Sequence, residues 1–168
     1  MNSVQSQAPA RNVVDFLQDS GTDHQIVRHA ELAGPVGSPD DVSRLHGIGI
    51  DRIAKTLFIV EVPDRGRSAL AVLPVRHRLA LDVAAEALGW KAAGLASPEE
   101  LADQLGQPVR GVSPLGAPAG VRVLIDRSLG AGSPVLVGGG VVGIEVELSS
   151  DDLVLATRAT VAELGKDP

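Results

Sequence analysis

Ile53-Ala-Lys-Thr-Leu-Phe-Ile-Val60 is short, apolar and rich in β-branched residues, and it runs into a turn-like Pro63-Asp-Arg-Gly66. That combination predicts a buried strand. Ser68–Val75 is a second apolar run, and so short a connection predicts a hairpin. Lys55 is the anomaly. Lysine is almost never fully buried without a partner, so it must emerge at the strand end or face a polar cavity. Taken on this strand alone, the plainer reading is a terminal lysine reaching water along its own stem.

Outward from the hairpin, helix signals recur. Ser38-Pro39-Asp40-Asp41 and Ser97-Pro98-Glu99-Glu100 each place an N-cap serine, a first-turn proline and two acids in order, and Glu100 completes a capping box. Ser149-Ser150-Asp151-Asp152 is a weaker copy. Helices are expected over Asn12–Ser20, from Ser38 to about Gly47, and over Leu79–Leu88, Pro98–Leu105 and about Asp151–Arg158. Glycines 21, 89 and 106 supply stops. Further strands are expected at His24–His29, Val121–Ile125, Pro134–Val137 and, by alternation, Val141–Leu148. Thr160–Leu164 reads as a short apolar tail. Hairpins interspersed with helices favour a mixed α+β domain over a doubly wound one. The expected organisation is a disordered tail over 1–9 and one domain over 10–168.

Composition narrows the function. The 168 residues hold no cysteine, which excludes disulfides and thiolate metal sites, and the four histidines lack zinc spacing. Phe16, Phe58 and Trp90 are the only aromatics, too few to stack single-stranded nucleic acid. A net charge of −6 disfavours a general nucleic-acid binder, so any RNA would be held locally. With no apolar run of signal-peptide or membrane-span length, a soluble cytoplasmic protein is expected.

Two glycine-rich stretches are candidates for chemistry. Gly138-Gly-Gly-Val-Val-Gly143 matches G-x-G-x-x-G, but β-branched alternation follows where a dinucleotide site needs a helix. A turn between strands, bordering a pocket, is the better reading. Arg110-Gly-Val-Ser-Pro-Leu-Gly116 can hold successive backbone N–H groups towards an anion or carbonyl oxygen, or can be an ordinary connecting loop. No Gly-x-Ser-x-Gly elbow is present.

In order and spacing, Ile53-Ala-Lys-Thr-Leu57, Leu70-Ala-Val-Leu-Pro74, Leu79-Ala-Leu-Asp82, Leu95-Ala-Ser-Pro-Glu-Glu100, Gly111-Val-Ser-Pro-Leu-Gly116, Ile125-Asp126 and Val137-Gly-Gly-Gly140 leading to Ile144-Glu-Val-Glu-Leu148 form a set. Over roughly residues 11–164 the chain resembles the YbaK/EbsC family of aminoacyl-tRNA deacylases, relatives of the prolyl-tRNA synthetase-associated editing domain. The resemblance implies a barrel-like mixed β-sheet flanked by helices, and hydrolysis of the ester of mischarged tRNA, foremost tRNA for proline carrying Cys or Ala. It implies a pocket lined by Lys55, Thr56, the loop Gly111, Val112, Ser113 and Pro114, and the turn Gly138-Gly139. Lys55 would be the cation on the ester or terminal ribose–phosphate, and the amides near Gly111–Ser113 would hold the carbonyl. The expected partners are the aminoacyl-tRNA acceptor end and a prolyl-tRNA synthetase, with no cofactor or metal. Departures from the family pattern are Arg110 in place of a glycine, Gly138 in place of a common serine, Glu145 for an aspartate, and His29 near the place of a tyrosine. They leave a second reading open, a catalytically silent module that binds a synthetase or aminoacyl-tRNA.

Overall fold

The computed structural model describes residues 7–132 and 134–168. The hairpin is its centre. Strand β2 (Ala54–Glu61) pairs antiparallel with β3 (Ser68–Pro74), in register Lys55 to Leu73 and Phe58 to Leu70. β3 is buried along almost its whole length, as a central strand covered on both faces must be. The large sheet has the order β5-β2-β3-β6-β9, with β5 at Ala93–Leu95, β6 at Arg122–Asp126 and β9 at Thr160–Ala162. β6 and β9 run parallel to β3.

A second, antiparallel sheet has the order β1-β8-β7, from Gln25–Arg28, Ile144–Ser149 and Pro134–Gly138. β4 (Arg78–Leu79) and β10 (Gly165–Lys166) make a small separate pair. The fold is therefore mixed α+β, as expected. A closed barrel is not formed among the described residues; one parallel bridge, Ile53 to Leu136, joins the two main sheets.

The larger core lies between these sheets. Ala54, Phe58, Leu70, Val72 and Ile125 face Val135, Val137, Val146 and Leu148. Helices α1 (Arg11–Ser20), α4 (Pro98–Leu105) and α5 (Ser150–Thr157) add Val13, Leu17, Leu101 and Leu153. On the outer face of the large sheet, α3 (Leu81–Leu88) lays Ala84 and Ala85 over Ala69 and Ala71, small residues on both sides allowing close approach. The serine caps form as expected: Ser38, Ser97 and Ser149 accept from the amides of Asp41, Glu100 and Asp152. Helix α2 is only Pro39–Val42 and continues into a wide π-type turn, Ser43–Gly47.

Three expectations need correction. The strand expected from Val141 begins at Ile144, because Gly140 and Gly143 take φ of +86° and +83° and turn the chain. The helix expected from Leu79 begins at Leu81, since Leu79 pairs with Gly165. Thr160–Leu164 contains strand β9, and Leu164 is fully buried. Of the tail expected over 1–9, residues 1–6 lie outside the described residues, and the Gln7 carbonyl accepts from Arg28 Nε at 2.7 Å. Among the described residues no helix is long and apolar enough to cross a membrane.

Candidate active site

Ile53, just before β2, bridges to Leu136 of β7. A cavity of about 540 Å³ opens beside Ile53. Its floor is Ile53–Leu57. One wall is Val36–Pro39 with Val42, a second is Val109, Arg110 and Val112, and a third is Gly138 with Val142–Glu145. His29 closes one side.

Lys55 reaches this cavity. It is half-buried and has no hydrogen bond or ion pair among the described residues. Burial, and secondarily the nearby Arg78 charge, lower its pKa from the ordinary lysine value. The terminal-lysine reading and the cavity reading thus merge: Lys55 sits at the strand end, and that end is the cavity.

Thr56 also lines the cavity, with 6% of its surface exposed, and its hydroxyl finds no partner among the described residues. A buried orphan hydroxyl costs stability that an isosteric methyl does not. Thr56→Val is therefore expected to raise the unfolding free energy by about 1 kcal/mol, read as a higher urea midpoint at constant m. A lower midpoint would mean that the hydroxyl is already bonded.

The two glycine stretches meet. A Cβ on Gly138 would stand 2.3 Å from the Val112 carbonyl oxygen, and one on Gly111 would stand 2.7 Å from the Val141 carbonyl carbon. Only glycine permits this backbone contact. Gly139 is equally tight against the Ile144 carbonyl, at 2.8 Å, and its amide donates to that oxygen. The match to a dinucleotide fingerprint is a strand-to-strand turn with no helix after it.

The amides of the loop are differently placed from expectation. Gly111 N–H donates to the Pro108 carbonyl at 3.0 Å, and Ser113 N–H to Gln107 Oε1 at 3.0 Å. Ser113 Oγ, almost wholly buried, accepts from Leu115 N–H. These groups hold the loop in shape and are not free for a carbonyl. Val112 is different: it lines the cavity, and its N–H has no partner among the described residues. Pro114 is buried in the loop, and neither it nor Gly111, Ser113 or Gly139 lines the cavity.

Sequence reasoning placed His29 on this side of the pocket without its contact. His29 Nε2 lies 2.9 Å from Glu145 Oε2, and burial raises the Glu145 pKa against the opposing effect of His29. One pleat along β8, Glu147 meets His46 at 2.5 Å, which fastens the Ser43–Gly47 turn beside the cavity. The apolar walls and Arg78 were also missed. The alternation of β8 put Glu145 and Glu147 on one face, but nothing local identifies the histidines opposite. Among the described residues no group of histidines and acids is arranged to hold a metal ion.

Comparison with known proteins follows the same line. A model of the aminoacyl-tRNA editing domain family matches residues 33–155. The crystal structure of a hypothetical protein superimposes with TM-score 0.80 at 27% identity, covering 92% of this chain and 99% of that one. Another, described as a proposed trans-editing enzyme for prolyl-tRNA synthetase, gives TM-score 0.81 at 24% identity, over 96% and 99%. At that identity the second likeness establishes the fold.

Proposed function

The chain belongs to the aminoacyl-tRNA editing domain family, and on that premise we propose that it is a trans-acting deacylase, hydrolysing the ester of mischarged tRNA. The foremost substrates are Cys or Ala on tRNA for proline. The observation that carries this reading is Lys55, a cation with no partner among the described residues, at the floor of a largely apolar cavity. An aminoacyl ester is already activated, so positioning and charge stabilisation do most of the work. Lys55 Nζ faces the oxygen on which negative charge develops, and the Val112 amide is the available second donor. Water attacks the carbonyl carbon; the acyl C–O bond breaks, and the ribose oxygen leaves with a proton. A ribose hydroxyl of the substrate assists the water. No side-chain nucleophile is needed, in keeping with Ser113 serving the loop.

A panel of tRNAs charged with Cys, Ala, Ser and Pro tests the proposal. Hydrolysis of one mischarged species and sparing of correctly charged Pro-tRNA is the expected result. No turnover of any species by folded protein would overturn it. That outcome would favour the second reading, a silent module for a synthetase or aminoacyl-tRNA, which the engaged amides of Gly111 and Ser113 support.

The environment of Lys55 predicts a pH profile. If its ammonium form is the active one, activity declines as pH rises through its pKa, and burial with Arg78 puts that decline below the range of a free lysine. Arg78→Gln removes one of the two causes, so the alkaline limb moves to higher pH. An unmoved limb in Arg78→Gln would assign it to another group.

A further inference from the structure

We propose that Arg110, with Val109 and Val142 beside it, is where this chain holds the single-stranded 3′ end of its RNA substrate: the guanidinium takes a backbone phosphodiester and the valines take the face of a base. This rests on the editing reading and adds to it the contact beyond the ester.

The rim is one continuous surface. Val109 and Val142 are 64% and 58% exposed, and both line the cavity mouth with Arg110. They come from different loops, yet those loops touch where Gly111 meets the Val141 backbone. Large exposed apolar side chains are otherwise scattered, at Leu95, Leu155 and Val161. Two at one mouth make a platform, and such a patch beside a cavity marks a binding surface.

The charge is equally local. Arg44, Arg65, Arg67, Arg76 and Arg127 each pair with a carboxylate. Arg110, also exposed, has no hydrogen bond or ion pair among the described residues. In a chain of net charge −6, an RNA end approaching this pocket needs a cation that is not already neutralised. A guanidinium suits a phosphodiester because its planar fork can bond two oxygens at once. With no aromatic ring at the rim, the base is held by apolar contact, so affinity stays modest and sequence-tolerant.

The test titrates the full chain with the trinucleotide CCA and, separately, with adenosine, which has no phosphate, following backbone amides by NMR. Arg110→Gln is expected to weaken the trinucleotide about tenfold and to leave adenosine unaffected. It should also flatten the slope of log K against log salt by about 0.7, one contact on a single strand. With charged tRNA, Arg110→Gln should raise KM more than it lowers kcat. Equal losses for both probes, no loss for either, or no binding of CCA to wild type would overturn the proposal. A surface that instead docks an acidic protein gives the last of these. Trinucleotide binding that depends on Arg110 without any deacylation would remove the editing reading and keep this site. Deacylation indifferent to Arg110→Gln would do the reverse.

Discussion

Lys55→Ala is expected to lower kcat for deacylation of the preferred mischarged tRNA by at least about a hundredfold, with the fold intact. The side chain lies at the strand end over the cavity and makes no hydrogen bond or ion pair among the described residues. Its loss therefore breaks nothing structural, and removing a partly buried charge relieves desolvation. Unchanged urea unfolding together with lost turnover would place the role of Lys55 in the reaction. Lys55→Met, which keeps most of the stem, should be as inactive as Lys55→Ala, because the charge and not the packing is what the ester oxygen needs. Full activity in either folded variant would refute the assignment.

Gly138→Ala should be strongly disruptive. The new Cβ would lie 2.3 Å from the Val112 carbonyl oxygen and 3.1 Å from its carbon. Both neighbours are backbone, so no flexible side chain can yield, and the loop or strand must move. A destabilisation of about 1–3 kcal/mol is expected, the usual range for overpacking, seen as a lower urea midpoint. Turnover should fall beyond what stability explains, since the displaced Val112 lines the cavity and its amide has no partner among the described residues. Gly66→Ala is the control: nothing lies within 4 Å of its Cβ and its φ is not positive, so its midpoint should stay near wild type. Equal behaviour of the two variants would contradict the packing described for the cavity. At Gly138 the loop comes too close for any side chain, which ties this glycine to the position of the loop.

Much of the architecture was legible because its determinants are local. The β2–β3 hairpin follows from two apolar runs and a short turn, and the caps at Ser38, Ser97 and Ser149 follow from side chains bonding amides three residues on. Strand β9 was not legible. Its partner β6 lies more than thirty residues earlier and runs parallel, and a parallel pair has no turn to announce it. Val141–Gly143 misled for the opposite reason: alternation continues through it, while Gly140 and Gly143 bend the backbone.

The candidate site divides in the same way. Sequence by itself determined the mixed α+β class and the family, and it singled out Lys55, Thr56, Val112 and Gly138, which line the cavity. Tertiary structure alone decided which groups in the glycine stretches are free. Gly111 and Ser113 have their amides closed inside the loop, Val112 does not, and His29 is joined to Glu145 across 116 positions. It also decided that loops from Val36–Pro39, Val109–Val112 and Val142–Glu145 gather around Lys55 to form a cavity. Periodicity and capping are set by neighbours along the chain, and hydrogen-bond partners and the walls of a cavity by contacts between distant segments.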